Sequence, residues 1–145
     1  MPRAGRGSRI SIVKSATLDI RTPEQLSVAR RLVQDWATKL AFSIVDKTKF
    51  VTAASEIGRN TLVHGNGGTM QIAELLQDGK TGLQLMFEDC GPGIEDVDRA
   101  MQDGFTTAKS MGLGLGGTRR LVNEFVIVST PGLGTRGTVV QWKRR

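Results

Sequence analysis

Glu56 and Asn60 stand four residues apart in a stretch with helical apolar spacing, so both fall on one helix face, a turn apart. An amide oxygen so placed can ligate magnesium, which prefers oxygen donors in an octahedral shell and often takes few of them from protein. A carboxylate one turn earlier can orient or deprotonate an attacking hydroxyl or water. Further along, Asp89-Cys90-Gly91-Pro92-Gly93 ends an apolar run with an acid and two glycines. The acid can accept a hydrogen bond from the exocyclic amine of adenine, and Gly91 and Gly93 let the backbone turn closely beneath a base. Gly112-Leu113-Gly114-Leu115-Gly116-Gly117 then puts bare backbone at the head of a helical stretch. Free N–H groups and the helix dipole attract phosphate there. The set describes one nucleotide site for phosphoryl transfer, which needs positioning and charge neutralisation more than covalent chemistry.

Each part alone has a plainer meaning. A Glu and an Asn at this spacing also fit a solvated helix face. Asp, Gly and Pro favour any strand-to-helix turn, and a glycine run can be a simple connector. Leu113 and Leu115, however, can pin that connector to a core. His64 continues the Glu56–Asn60 stripe and could touch phosphate, but a histidine at a helix C-terminus is also favoured by the dipole. Thr106, Thr107 and Lys109 are read either as contacts to a terminal phosphate from a closing loop or as solvated loop side chains. Cys90 is read as a small residue in a tight turn.

Several elements must hold these groups in place. Residues 1–9 read as a flexible basic arm, and residues 10–145 as a single domain. Alternation suggests a strand from Ile10 to Val13. Thr22-Pro23-Glu24-Gln25 opens a helix with a capping hydroxyl and proline in the first turn. A second helix is expected from near Asp46 to near Gly65, with Gly65 in the left-handed C-terminal position. Residues 69–76 and 82–88 flank Asp78-Gly79, a hairpin signal. A short amphipathic segment (Ile94, Val97, Ala100, Met101) and a mobile loop over 102–111 follow. A helix is expected from about Leu113 to Glu124, then strands from Phe125 to Ser129 and Thr135 to Trp142. This pattern predicts an α+β two-layer sandwich, with a mixed, mainly antiparallel sheet carrying helices on one face.

Composition narrows the partners. The 145 residues carry a net charge of +6, yet Arg3, Arg6, Arg9, Lys143, Arg144 and Arg145 supply six positive charges in end segments without acids. Without them, 14 basic and 14 acidic residues balance. Only seven residues are aromatic, and none is interleaved with the basic ends as base-stacking platforms often are. Nucleic acid is therefore not expected as the primary ligand. No apolar run approaches the roughly 20 residues that span a bilayer, so neither a membrane span nor a secretory signal is expected. The single cysteine fits a reducing cytoplasm.

In this order, Glu-x-x-x-Asn, Asp-x-Gly-x-Gly, Gly-x-Gly-x-Gly and a late Gly-Thr resemble the histidine-kinase-like ATPase superfamily, or Bergerat fold. The resemblance runs roughly from Glu56 to Trp142. It implies ATP and Mg2+ as ligands, Glu56 as catalytic base, Asn60 as metal ligand and Asp89 as adenine contact. Backbone contacts would come from Gly91, Gly93, Gly112, Gly114 and Gly116. The late threonine near adenine maps to Thr135, with Thr138 left as the other register. A lone histidine inside the nucleotide motif does not suit a complete histidine kinase, which needs a separate phosphoacceptor. The whole is most similar to the stand-alone serine/threonine kinases of bacterial partner-switching systems, those of the stressosome included. That resemblance implies phosphorylation of a STAS-domain antagonist, often within a larger scaffold, and activation of a PPM-type phosphatase once the kinase is released. The alternatives are a nucleotide-dependent binding switch, or an anti-sigma-factor kinase that sequesters a sigma factor.

Overall fold

The computed structural model describes residues 9–94, 96, 97, 101 and 114–144. Five strands form one sheet: β1 (Ser11–Ile20), β2 (Gly68–Gln77), β3 (Lys80–Asp89), β4 (Glu124–Thr130) and β5 (Gly134–Trp142). Their order across the sheet is β1-β2-β3-β5-β4, and every neighbouring pair is antiparallel. Helices α1 (Pro23–Lys39) and α2 (Ile44–Val63) pack against each other and onto one face, while the short α3 (Gly114–Arg119) packs on α2. The result is the two-layer sandwich that the sequence pattern predicts.

Period-two alternation sends Met70 and Ile72 from β2, Leu83, Leu85 and Phe87 from β3, and Val139 from β5 into the helix layer. They meet Val33 and Trp36 of α1 and Phe50, Ala54 and Ile57 of α2. Burying one such large side chain contributes about 1.5–3 kcal/mol, so this seam is the chief source of stability. Gly58, inside the Glu56–Asn60 motif, is a packing residue. A Cβ there would run into Leu26 of α1 and sit 3.4 Å from Phe87.

Three of the expected boundaries move for an identifiable local reason. β1 extends to Ile20, well past Val13. A register shift between Ile12 and Lys14 interrupts its alternation, hiding the continuing Ala16, Leu18, Ile20 face. α2 begins at Ile44 rather than Asp46 because the Ser43 hydroxyl accepts the Asp46 N–H at 3.1 Å and caps the helix two residues earlier. α3 ends at Arg119 rather than near Glu124. Arg120 and Leu121 donate to carbonyls three residues back, and Asn123 is drawn to β5, where its N–H meets the Gln141 amide oxygen and its own amide oxygen accepts the Trp142 N–H. Asp78 (φ 52°) and Gly79 (φ 77°) make the hairpin turn as expected.

The loop over 102–111, with Thr106, Thr107 and Lys109, lies outside the described residues, as does Gly112. Of the amphipathic segment, one helical-turn bond is described, from the Met101 N–H to the Val97 carbonyl at 3.0 Å. Among the described residues no helix is long and apolar enough to cross a membrane.

Candidate active site

Helix α2 delivers the first pair. Glu56 and Asn60 are both half-buried on its last turns, and among the described residues neither side chain has a hydrogen-bond partner. The Asn60 carbonyl accepts the N–H groups of His64 (2.9 Å) and Gly65 (3.1 Å), which closes the helix. The chain then turns sharply through Asn66 (φ 61°) and Gly67 (φ 92°) into β2. Gly65 is therefore not the left-handed residue. It is glycine for want of space, because a Cβ there would collide with the Asp89 carboxyl, with Asp89 Cβ at 2.6 Å.

Asp89 arrives from the sheet. It continues the inward row of Leu83, Leu85 and Phe87, so its side chain enters the helix side beneath Gly65. Its Oδ1 accepts the Gly91 N–H at 2.9 Å and the Thr135 N–H at 3.3 Å. Those two bonds hold the carboxylate plane and leave Oδ2 for a further donor. Gly91 crosses directly under Gly65, where a Cβ would stand 2.7 Å from the Gly65 Cα.

Thr135 and Thr138 separate by parity. Thr135 pairs with Asp89 across β3 and β5 and faces the same side, whereas Thr138 pairs with Met86 and Val126 on the uncovered side of the sheet. The geometry thus brings Thr135, not Thr138, to Asp89. Sequence reasoning missed Ser129. Its hydroxyl lies 2.8 Å from the Thr135 hydroxyl, 3.2 Å from the Gly134 carbonyl, and accepts the Ile94 N–H at 2.7 Å. The only sequence signal is its place just before the Pro131–Gly134 turn. Gly93 (φ 79°) lies against that turn, and the Pro92 carbonyl accepts the Gly132 N–H at 2.7 Å.

α3 closes the third side. Leu115, Gly116 and Thr118 are buried, and the packing of α3 on α2 sets Gly114 and Gly116 beside the helix that bears Glu56 and Asn60. Cys90 is an exposed free thiol. Among the described residues no group of three or more His, Cys, Asp or Glu side chains could cage a metal. An amide and a carboxylate one turn apart, without hydrogen-bond partners among the described residues, suit a hard, oxygen-seeking cation.

The histidine kinase-like ATPase domain model matches residues 21–143, nearly the whole chain. The chain belongs to the histidine kinase-like ATPase family. Within that family it is 38% identical over 125 residues to the serine/threonine-protein kinase RsbT of Bacillus subtilis, covering 86% of this chain and 94% of that one. It is 33% identical over 115 residues to an anti-sigma F factor of a Thermoanaerobacter species, covering 75% of this chain and 79% of the relative. The fold also matches the crystal structure of the RsbU and RsbW domains of a Mycobacterium tuberculosis protein. There the TM-score is 0.60 at 21% identity, over 92% of this chain but 34% of that longer one. This histidine kinase-like ATPase domain is an ATP-using enzyme of the serine/threonine kinase type, from the partner-switching branch of the family.

Proposed function

We propose that the chain is a magnesium-dependent kinase that transfers the terminal phosphoryl group of ATP to a serine or threonine of a STAS-domain antagonist, held in a larger scaffold. After release it binds and activates a PPM-type phosphatase. The setting is a cytoplasmic stress-signalling switch of the stressosome kind. One observation carries the chemistry: α2 presents Glu56 and Asn60 a turn apart, above the Asp89–Thr135 end of the sheet and beside α3.

In this reading Oδ2 of Asp89 accepts from the adenine amine, and the Thr135–Ser129 pair holds the Asp89 carboxylate in place. Gly91 and Gly93 admit the base, while the backbone of Gly112, Gly114 and Gly116 receives phosphate. Asn60 offers its amide oxygen to Mg2+, which neutralises charge on the phosphates. Glu56 accepts the proton of the substrate hydroxyl as it attacks. The likeness to RsbT supports this choice of protein partners.

Labelled ATP and magnesium, added with the purified protein to a phosphatase-treated extract of its source cells, test the reading. One small protein labelled on serine or threonine is expected, and it must vanish with Glu56→Gln while ATP binding persists. A second reading, an anti-sigma-factor kinase or a binding switch, draws on the likeness to the anti-sigma F factor. Co-purification with a sigma factor and no labelled antagonist would favour it.

A further inference from the structure

The two ends of the sheet are unlike. At the end away from Asp89, the cross-strand row runs Ser11, Leu76, Thr81, and the Lys143 N–H donates to the Thr81 carbonyl at 2.8 Å. The start of β1 and the segment after β5, more than 130 residues apart in sequence, are thus only about three strand spacings, roughly 14 Å, from each other. α1 ends and α2 begins at this same end, about 25 Å along α2 from Asn60. Both basic end segments therefore attach to one pole, although Arg3, Arg6 and Arg145 themselves lie outside the described residues.

Large apolar side chains gather there too. Ile10, Ile12, Val13, Ile44, Val45 and Leu76 are six of the eleven exposed ones among the described residues, with Ile44 77% and Val45 57% exposed. Lys39 ends α1 and Lys47 lies in the first turn of α2, while Lys143 is bonded to Thr81 and directly precedes the Arg144 that reaches α2. Of the acids at this pole, Asp46 is buried and gripped by Arg144 with bonds of 2.8 and 2.9 Å, while the exposed Asp78 of the β2–β3 turn is outnumbered by Lys39, Lys47, Lys80 and Lys143. That grip raises the Arg144 pKa above its ordinary value, first through the hydrogen bond and then through charge attraction. Arg144 thus keeps its charge, and the C-terminal segment is tied to α2. A lysine in the first turns of a helix opposes the dipole, and the Lys47 ammonium is instead held by the Thr38 hydroxyl of α1 at 3.1 Å.

We infer that this pole is a docking surface for a second protein, through a segment of that partner rich in Asp or Glu with aliphatic side chains between them. Charge complementarity selects acids, and Ile44, Val45 and Leu76 select aliphatics. A second copy of this chain would bring like charge to like. Nucleic acid would want exposed rings, but Trp142 is engaged by Glu124 (2.7 Å) and covered by Lys80 (5.7 Å). A bilayer surface would want interfacial aromatics, and the exposed apolar residues here are all aliphatic. The inference rests on the fold and the charge map, not on the phosphoryl-transfer reading.

The test places a benzophenone photo-crosslinker at position 45 of the full chain in its source cells, with position 28 on the outer face of α1 as control. The expected adduct forms at 45 and not at 28, and its cross-linked peptide is acidic and aliphatic. The synthetic form of that peptide should bind the purified chain at least tenfold more weakly after Ile44→Glu with Lys47→Glu. It should bind several-fold more weakly after the milder Val45→Ser, with ATP binding unchanged in both. No adduct at 45, an adduct with RNA or lipid, a peptide without acids, or equal binding by the charge-reversed chain would each overturn the proposal. Loss of phosphoryl transfer in Glu56→Gln bears on the kinase reading alone.

Discussion

At the Asp89–Thr135 end of the sheet, backbones touch and polar groups turn inward; at the Leu76–Lys143 end, side chains are large, apolar or basic, and turned out. Gly65, Gly91 and Asp89 crowd together in the first region because every added carbon there would collide. In the second, Ile44, Val45 and Leu76 extend outward without a described neighbour to cover them. On the proposed reading, the contrast follows from what each end has to hold. A nucleotide site must let backbone N–H groups and one carboxylate come close to a flat base, so it excludes Cβ atoms. A protein-docking pole needs projecting apolar area and charge, so it retains them.

The strongest way to break this contrast is chemical. Glu56→Gln should lower phosphoryl transfer by about 100-fold or more, the scale of a lost general base, while calorimetry shows unchanged ATP affinity. An equal loss of ATP binding would make Glu56 a binding residue instead. Gly65→Ala comes next, because its Cβ must displace Asp89. We expect ATP affinity to fall at least tenfold, about 1.4 kcal/mol, by titration calorimetry. The melting temperature should drop as well.

A finer test uses parity. Thr135→Val removes the hydroxyl that meets Ser129, worth about 0.5–1.5 kcal/mol for one hydrogen bond, and should weaken ATP several-fold. Thr138→Val, on the other face, should leave affinity unchanged. If the two behave alike, the Asp89–Thr135 pairing is not what orients the base. The smallest effect is expected near the opposite pole. Ala41 holds φ 61° just after α1, with the Phe42 N–H bonded to the Ala37 carbonyl at 3.0 Å. Relieving that left-handed strain with Ala41→Gly should raise stability by about 0.5–1 kcal/mol in urea unfolding, with no change in ATP affinity. A changed affinity would mean the two ends are coupled through α2.

How far the site could be read in advance depended on where its signals lie. Glu56 and Asn60 are four residues apart on one helix, and helical geometry alone puts them on one face. Asp89 and Gly91 are two apart, and the Asx-type bond between them is local. Gly65, Ser129 and the choice of Thr135 over Thr138 were not legible, since each depends on a segment 24 or more residues away in sequence from Asp89. The β1 boundary was hidden by a bulge, which inverts the alternation on which strand reading relies.

The sequence by itself determined the kinds of element, the helix-borne carboxylate and amide, and the concentration of net charge in the two end segments, because period, capping and local charge are properties of neighbours in the chain. Only the tertiary structure decided that the Asp89 row ends under Gly65, that Thr135 faces it, and that both basic ends leave from one pole. Those outcomes come from antiparallel register, in which a single residue of slip would turn every side chain of a strand to the other face.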